Sequence, residues 1–198
     1  MNSTSSEPRS FSAPLIALMA VACGLAVGNL YYCQPLLVSI QSDLHETPAR
    51  AGLIPTLTQL GYATGMLLVV PLGDILERRR LMVAMQAAVA LALIGAARAQ
   101  SLAGLVVASF GIGLTTLVAH VLLPFVGQSA PAGQRGRAVG TLMSGTLLGI
   151  LLARTISGFV GGQFGWRAMY WLAAIVAGGL GLVLRLAMPE SRPALSIS

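Results

Sequence analysis

Six apolar runs of about twenty residues, separated by short clusters of charge, proline or glycine, leave this chain few ways to fold. They lie near Pro14 to Leu37, Ala51 to Leu72, Leu81 to Ala97, Leu102 to Val126, Ala138 to Phe159 and Ala168 to Leu186. A helix needs roughly 20 apolar residues to cross a hydrocarbon layer of about 30 Å. Backbone N–H and C=O groups find no water in that layer, so only helices and closed barrels span it. Barrel strands are about half as long and alternate in polarity, whereas these runs are continuous. The expected fold class is therefore all-α integral membrane, with six transmembrane helices in a domain over 14–187 and tails at 1–13 and 188–198. Only 9% of the 198 residues are charged and 56% are hydrophobic, against about a quarter charged in soluble domains. The apolar run from Phe11 continues past Leu37 instead of stopping after a short hydrophobic region, which predicts an uncleaved first span.

The net charge of +6 comes with no lysine and with twelve arginines scattered between the runs, so a nucleic-acid partner is not expected. Six spans put both termini on one side. If that side is cytoplasmic, it receives eight arginines (Arg9, Arg78, Arg79, Arg80, Arg135, Arg137, Arg185, Arg192), and the other side receives three (Arg50, Arg98, Arg167). The bias of positive charge toward the cytoplasm predicts a multi-pass protein of a bacterial-type inner membrane with both termini inside. Cys23 and Cys33 fall ten positions apart on one predicted helix, too far apart to bridge. No metal-ligand cluster, nucleophile triad or phosphate-cradling loop is present, and no cofactor is expected.

A shift of 88 positions lays the second run on the fifth, aligning Gly61 with Gly149, Gly65 with Ala153, Gly73 with Gly161 and Arg79 with Arg167. These two runs point in opposite directions, as in the inverted three-helix repeats of secondary transporters. Gly145, Gly149, Ala153 and Ser157, with Gly158 beside them, form a small-residue stripe suited to close helix packing.

The segment PLGDILERRR, 71–80, resembles the loop between helices two and three of the major facilitator superfamily, G-x-x-x-D-[RK]-x-G-R-[RK]. Asp74, Arg78 and Arg79 match the acid and the terminal basic pair, while Val70, Ile75 and Glu77 depart from the pattern. GILLARTISG, 149–158, resembles that superfamily's antiporter motif G-x-x-x-G-P-x-x-G-G, with Arg154 where proline is usual. NLYYCQPLL, 29–37, is similar to the end of helix one in arabinose-efflux-like permeases. The resemblance implies the N-terminal six-helix half of a twelve-helix fold. It also implies that Asp74, Arg78 and Arg79 help to hold one access state shut by meeting a helix of the other half. The family often carries an arginine in helix four, near the place of Ser109 here.

Two ionisable side chains lie within the runs, His120 and Arg154, and no carboxylate accompanies them. An arginine at the centre of a spanning helix costs about 2.5–3.5 kcal/mol on insertion scales, so by default it marks a functional site. Counting about 1.5 Å per residue, Asn29 and Arg154 lie about 24 Å deep and Gln59 comes to a similar level. Asn29, Tyr32, Gln59 and Arg154 are therefore expected to form a polar layer for an anionic or polyhydroxylated small-molecule substrate. The competing reading has Arg154 snorkel to the outer interface. His120 is placed away from Arg154, as a proton relay or as a neutral histidine bonded to a neighbouring helix.

Taken together these features predict a secondary transporter: an efflux permease for small molecules such as drugs or sugars, proton-coupled and alternating in access. It would be present as half of the usual fold and completed by a homodimer or a second six-helix half. The contrasting expectation is a non-transporting or truncated membrane fragment that acts as an assembly partner. An enzyme is disfavoured by the lack of a catalytic acid in the spans.

Overall fold

A computed structural model describes residues 13–131 and 133–187, except the side chains at 74, 75, 128 and 129. The expected tails, 1–13 and 188–198, lie outside the described residues except for Ala13, which opens α1. Ten α-helices and one 3-10 turn build the six spans, with no strand among the described residues. Span one joins α1 (Ala13–Gly28) through a 3-10 turn (Gln34–Leu36) to α2 (Leu37–Asp43). Span two comprises α3 (Pro48–Ala51), α4 (Leu53–Leu68) and α5 (Leu72–Ile75). Span three is α6 (Arg78–Ala97), and span four is α7 (Leu102–Thr115) followed by α8 (Val118–Ser129). Span five is α9 (Arg135–Phe164) and span six is α10 (Trp166–Ala187).

Three spans expected to be continuous are broken, span two only near its ends, on either side of α4. In span one, Asn29, Leu30 and Tyr31 donate to the carbonyls three residues back (3.0–3.1 Å), tightening the helix. Pro35 then has no N–H for the Tyr31 carbonyl. In span four, the hydroxyls of Thr115 and Thr116 donate to the carbonyls of Gly111 (2.8 Å) and Ile112 (2.6 Å), and Thr116 leaves the helical region (φ −85°, ψ 59°). Such back-bonding competes with the helical ladder. The 88-position shift carries Asn29 onto Leu117, so the two breaks occupy equivalent places in the repeats.

Within a bilayer, helices associate by close van der Waals packing and interhelical hydrogen bonds, and the glycines decide where backbones can meet. Span five packs on span one in steps of four: Gly145 on Ala20, Gly149 on Gly24, Ala153 on Gly28, and Gly161 on Leu36. The Ser157 hydroxyl donates to the Tyr32 carbonyl (2.6 Å), which Leu36 leaves free by bonding Cys33. The constant offset of 125 positions means that the two spans run parallel. A Cβ at Gly158 would stand 3.6 Å from Pro35 at the break. Spans two and four form a second parallel pair, with Gly61 on the Phe110 carbonyl, Gly65 on the Leu114 carbonyl and Gly113 on the Thr58 carbonyl. Spans three and six run antiparallel: Leu81, Met82 and Met85 share one core cluster with Leu180 and Leu184, while Val89 and Leu93 share the other with Met169 and Tyr170. Two inverted three-helix repeats require this arrangement. The repeat operation turns the pair one–five into the pair four–two and returns three–six to itself.

The charged loop departs from its expected boundaries, because α6 begins at Arg78 instead of Leu81. Three arginines thus open a helix whose N-terminus is already positive. Glu77, just ahead of them, pairs with Arg80 at 2.7 Å, and Arg78 lies over the Phe125 ring of α8 at 5.4 Å. At the opposite end of the bundle, Asp43 is more than the solvated loop residue its sequence context suggests. Its Oδ2 accepts from the Trp166 indole at 3.2 Å and from Arg167 at 2.5 Å, while Arg167 also donates to the Ala99 carbonyl at 3.1 Å. This clasp joins spans one, three and six. Cys23 and Cys33 are both buried and unbridged.

Two outcomes follow. A Cβ at Gly149 would collide with the Gly24 backbone, whereas one at Gly140 would meet nothing within 4 Å. Gly149→Leu should therefore lower stability in detergent by about 1–3 kcal/mol, as overpacking does, with Gly140→Leu near neutral in the same thermal melts. Hydrogen bonds from Arg167 and then Trp166 hold the Asp43 carboxyl below its ordinary value of 3.8. The clasp is thus fully present above that value and is lost as pH falls through the depressed one. In a Trp171→Phe background, Trp166 emission should shift only below about pH 4, and Asp43→Asn should abolish the transition.

Candidate functional site

The two breaks bring a polar set together on spans one, two, four and five. The Arg154 guanidinium lies 5.3 Å from the centroid of the Tyr31 ring. Across the bundle, the Tyr62 hydroxyl is 3.2 Å from His120 Nε2 and 3.4 Å from Nδ1, with the rings edge to face at 5.5 Å and 73°. The phenol donates to, or accepts from, the imidazole according to its tautomer. Tyr31 and Tyr62 pack against one core cluster.

Local sequence explains each placement. Tyr31 projects from the break that Pro35 enforces. His120 follows directly on the break at Thr116, and Pro124 further on has no N–H for the His120 carbonyl. Tyr62 is held where α4 meets Gly113, whose missing side chain lets the Thr58 carbonyl and the Tyr62 amide approach α7. Arg154 sits on α9 about 15 Å from its outer end, since the helix runs to Phe164 rather than Phe159. Its guanidinium turns sideways to an aromatic face, a contact worth about 0.5–2 kcal/mol depending on desolvation. The competing expectation of a snorkelling Arg154 placed it nearer the helix end than it is.

The layer expected from sequence is therefore redrawn. Arg154 belongs to it, but its aromatic partner is Tyr31. Tyr32 turns the other way, its hydroxyl lying where a Gly28 side chain would stand, and is buried beside Ala153. One step of 100° around a helix separates the neighbours, and only the geometry of the break selects between them. Asn29 is buried within the break. Gln59 is exposed on α4 one turn from Tyr62, and no described contact joins it to Arg154. His120 is bonded to a neighbouring helix, as one of its two sequence readings expected. Among the gate residues, Arg78 is braced by Phe125, Arg79 opens α6, and the Asp74 side chain lies outside the described residues. Tyr31, Tyr62 and Phe125 are the residues that sequence reading misses. The signal for Tyr62 was its spacing of three from Gln59, which puts both on one helical face.

Chemically, the set offers one permanent cation, two phenols and an imidazole, and the carboxylates of the spans, Asp43 and Asp74, lie at span ends. Such a surface donates hydrogen bonds to an anion or a carbonyl, and its imidazole can serve as donor or acceptor according to its tautomer. Span five also presents the most open surface: 11% of its most apolar stretch is buried, against 44–50% in spans three, four and six.

The sequence profile of the Major Facilitator Superfamily matches residues 15–198. The chain belongs to this superfamily. It is 44% identical over 181 residues to the uncharacterized transporter YgaY of Escherichia coli O157:H7, covering 91% of this chain and 46% of the relative. It is 28% identical over 172 residues to the chloramphenicol resistance protein of Streptomyces lividans, covering 82% and 41%. Among solved structures, a peptide transporter POT in complex with alafosfalin superposes with a TM-score of 0.72 at 22% identity, over 91% of this chain and 39% of that one. This facilitator chain spans about half the length of the curated relatives it matches.

Removing only the Tyr62 hydroxyl tests the link between spans two and four. Tyr62→Phe should cost about 0.5–1.5 kcal/mol in detergent unfolding, and Tyr62→Phe combined with His120→Phe should cost less than the sum of the two single changes.

Proposed function

We propose that this facilitator chain forms one six-helix half of a secondary transporter that exports small organic molecules by alternating access, coupled to protons. The observation that carries the reading is the polar set at two discontinuous helices in equivalent positions of inverted repeats, the place where secondary transporters bind their cargo. Arg154 and the phenols suit drugs or sugars that carry an anionic, carbonyl or polyhydroxylated group, and Gln59 and Asn29 extend the hydrogen-bonding surface. His120 is the proton acceptor of this half. The resemblance of 149–158 to the antiporter motif, and the resistance protein among the relatives, favour efflux over uptake.

Transport in this scheme needs a second six-helix half against the open face of spans two and five. That half comes from a longer chain, a second copy or a separate protein. Asp74, with Arg78 and Arg79, grips it in one access state and releases it in the other. Both termini lie in the cytoplasm and the protein resides in an inner membrane, as the arginine distribution favours. Transport, not catalysis, is the activity.

The test is efflux from everted vesicles or proteoliposomes against a panel of drugs and sugars, with and without a pH gradient. Substrate-dependent flux should follow the gradient and fall at least tenfold in Arg154→Gln, about 1.4 kcal/mol per tenfold. Asp74→Asn should lower flux while insertion stays intact. A chain that is strictly monomeric and shows no flux for any substrate would favour the assembly-partner reading.

A further inference from the structure

The face of span five opposite Arg154 carries a second feature, independent of transport. Spans one, five and six enclose an apolar groove of about 540 Å³, walled by Val21, Leu25, Leu148, Leu152, Leu172 and Val176 and floored by the Gly24–Gly149 contact. At the arginine-rich end of the bundle the groove runs into a second cavity of about 500 Å³, which holds Arg137 and Gln134. Ala17 and Thr141 line both, so the two adjoin there, and we take them together as one recess. Its lining changes from mainly apolar, with Tyr32, Thr141 and Ser144 as the polar members, to cationic within one helical turn, between Thr141 and Arg137.

We propose that this recess is a seat for one anionic glycerophospholipid, with an acyl chain in the groove and its phosphate on Arg137. Three observations select that occupant. Arg137 meets no acidic side chain, because none lines either cavity and no ion pair engages it among the described residues. A guanidinium at the mouth of an apolar groove between helices is the arrangement that holds an anionic headgroup. From Arg137 to Ile156 the linings run about 28 Å along α9, most of a 30 Å hydrocarbon layer. The cationic end lies on the side where the arginines gather, and the apolar remainder has the length to take an acyl chain. The groove floor is the backbone contact of spans one and five, so a lipid chain there lies directly over the joint that positions Arg154 on the other side.

Native mass spectrometry of the intact chain in mild detergent tests the seat. Phosphatidylglycerol is compared with phosphatidylcholine, and water-soluble glycerophosphate is the control for a bare phosphate. One retained phosphatidylglycerol is expected, with at least tenfold preference over phosphatidylcholine and no retention of glycerophosphate. Arg137→Gln should weaken it at least fivefold and Arg137→Lys should restore most of it. Ala17→Phe, which fills the junction from an exposed position, should abolish retention without changing the melting temperature in detergent. Equal retention of phosphatidylcholine, retention of glycerophosphate alone, or unchanged binding in both Arg137→Gln and Ala17→Phe would overturn the proposal. So would a disulfide formed between two copies through Leu148→Cys in membranes, since that places a second chain in the groove.

Discussion

The fold depends on one contact, the backbone-to-backbone approach of Gly24 and Gly149. No apolar driving force separates helix from lipid inside a bilayer, so spans one and five stay together only because small residues bring many atoms to van der Waals distance. Span five also meets span four through Ala138 and Leu142, which share a core cluster with Val118, Leu122 and Val126. The stripe nevertheless sets the register of span five on span one, and with it the height of Arg154. Arg154 faces the phenol of Tyr31 on one side, and the groove with Arg137 opens on the other.

The two helix breaks are the second constraint. A regular helix satisfies its own backbone and offers a ligand only side chains. A broken one must find other partners for its carbonyls. At span one the Tyr32 carbonyl is met by Ser157, so the small-residue stripe also pays for the break beside it. At span four the hydroxyls of Thr115 and Thr116 draw off the carbonyls of Gly111 and Ile112. Both solutions leave an aromatic or imidazole ring, Tyr31 or His120, projecting where an unbroken helix would direct a different residue. Equivalent breaks in two inverted units leave two clusters of different chemistry, a cation with a phenol on spans one and five and an imidazole with a phenol on spans two and four.

Several features were legible in the residues alone. The continuous apolar runs and the near absence of charge required six membrane helices, and the spacing of Gly145, Gly149, Ala153 and Ser157 marked the packing face of span five before its partner was known. Arg154 and His120 stood out because charge is costly in hydrocarbon. The 88-position repeat pointed to an inverted construction. The choice between Tyr31 and Tyr32, the role of Tyr62 and the bracing of Arg78 by Phe125 were not legible, since each depends on a neighbour far away in sequence. Asp43 is the plainest case. Its partners Trp166 and Arg167 lie 123 and 124 positions away, and nothing local distinguishes it from an ordinary loop carboxylate.

The sequence by itself determined that this chain must be helical and membrane-embedded, because twenty-residue apolar runs have no other way to satisfy their backbones in lipid. It also determined which residues would be costly there. Only the tertiary structure decided which faces those residues share. Helix pairing is set by the register of glycines on different spans, and ring orientation is set by breaks whose geometry depends on hydrogen bonds across the bundle. The pairing of Arg154 with Tyr31, and of Tyr62 with His120, thus arises from contacts that no single segment encodes.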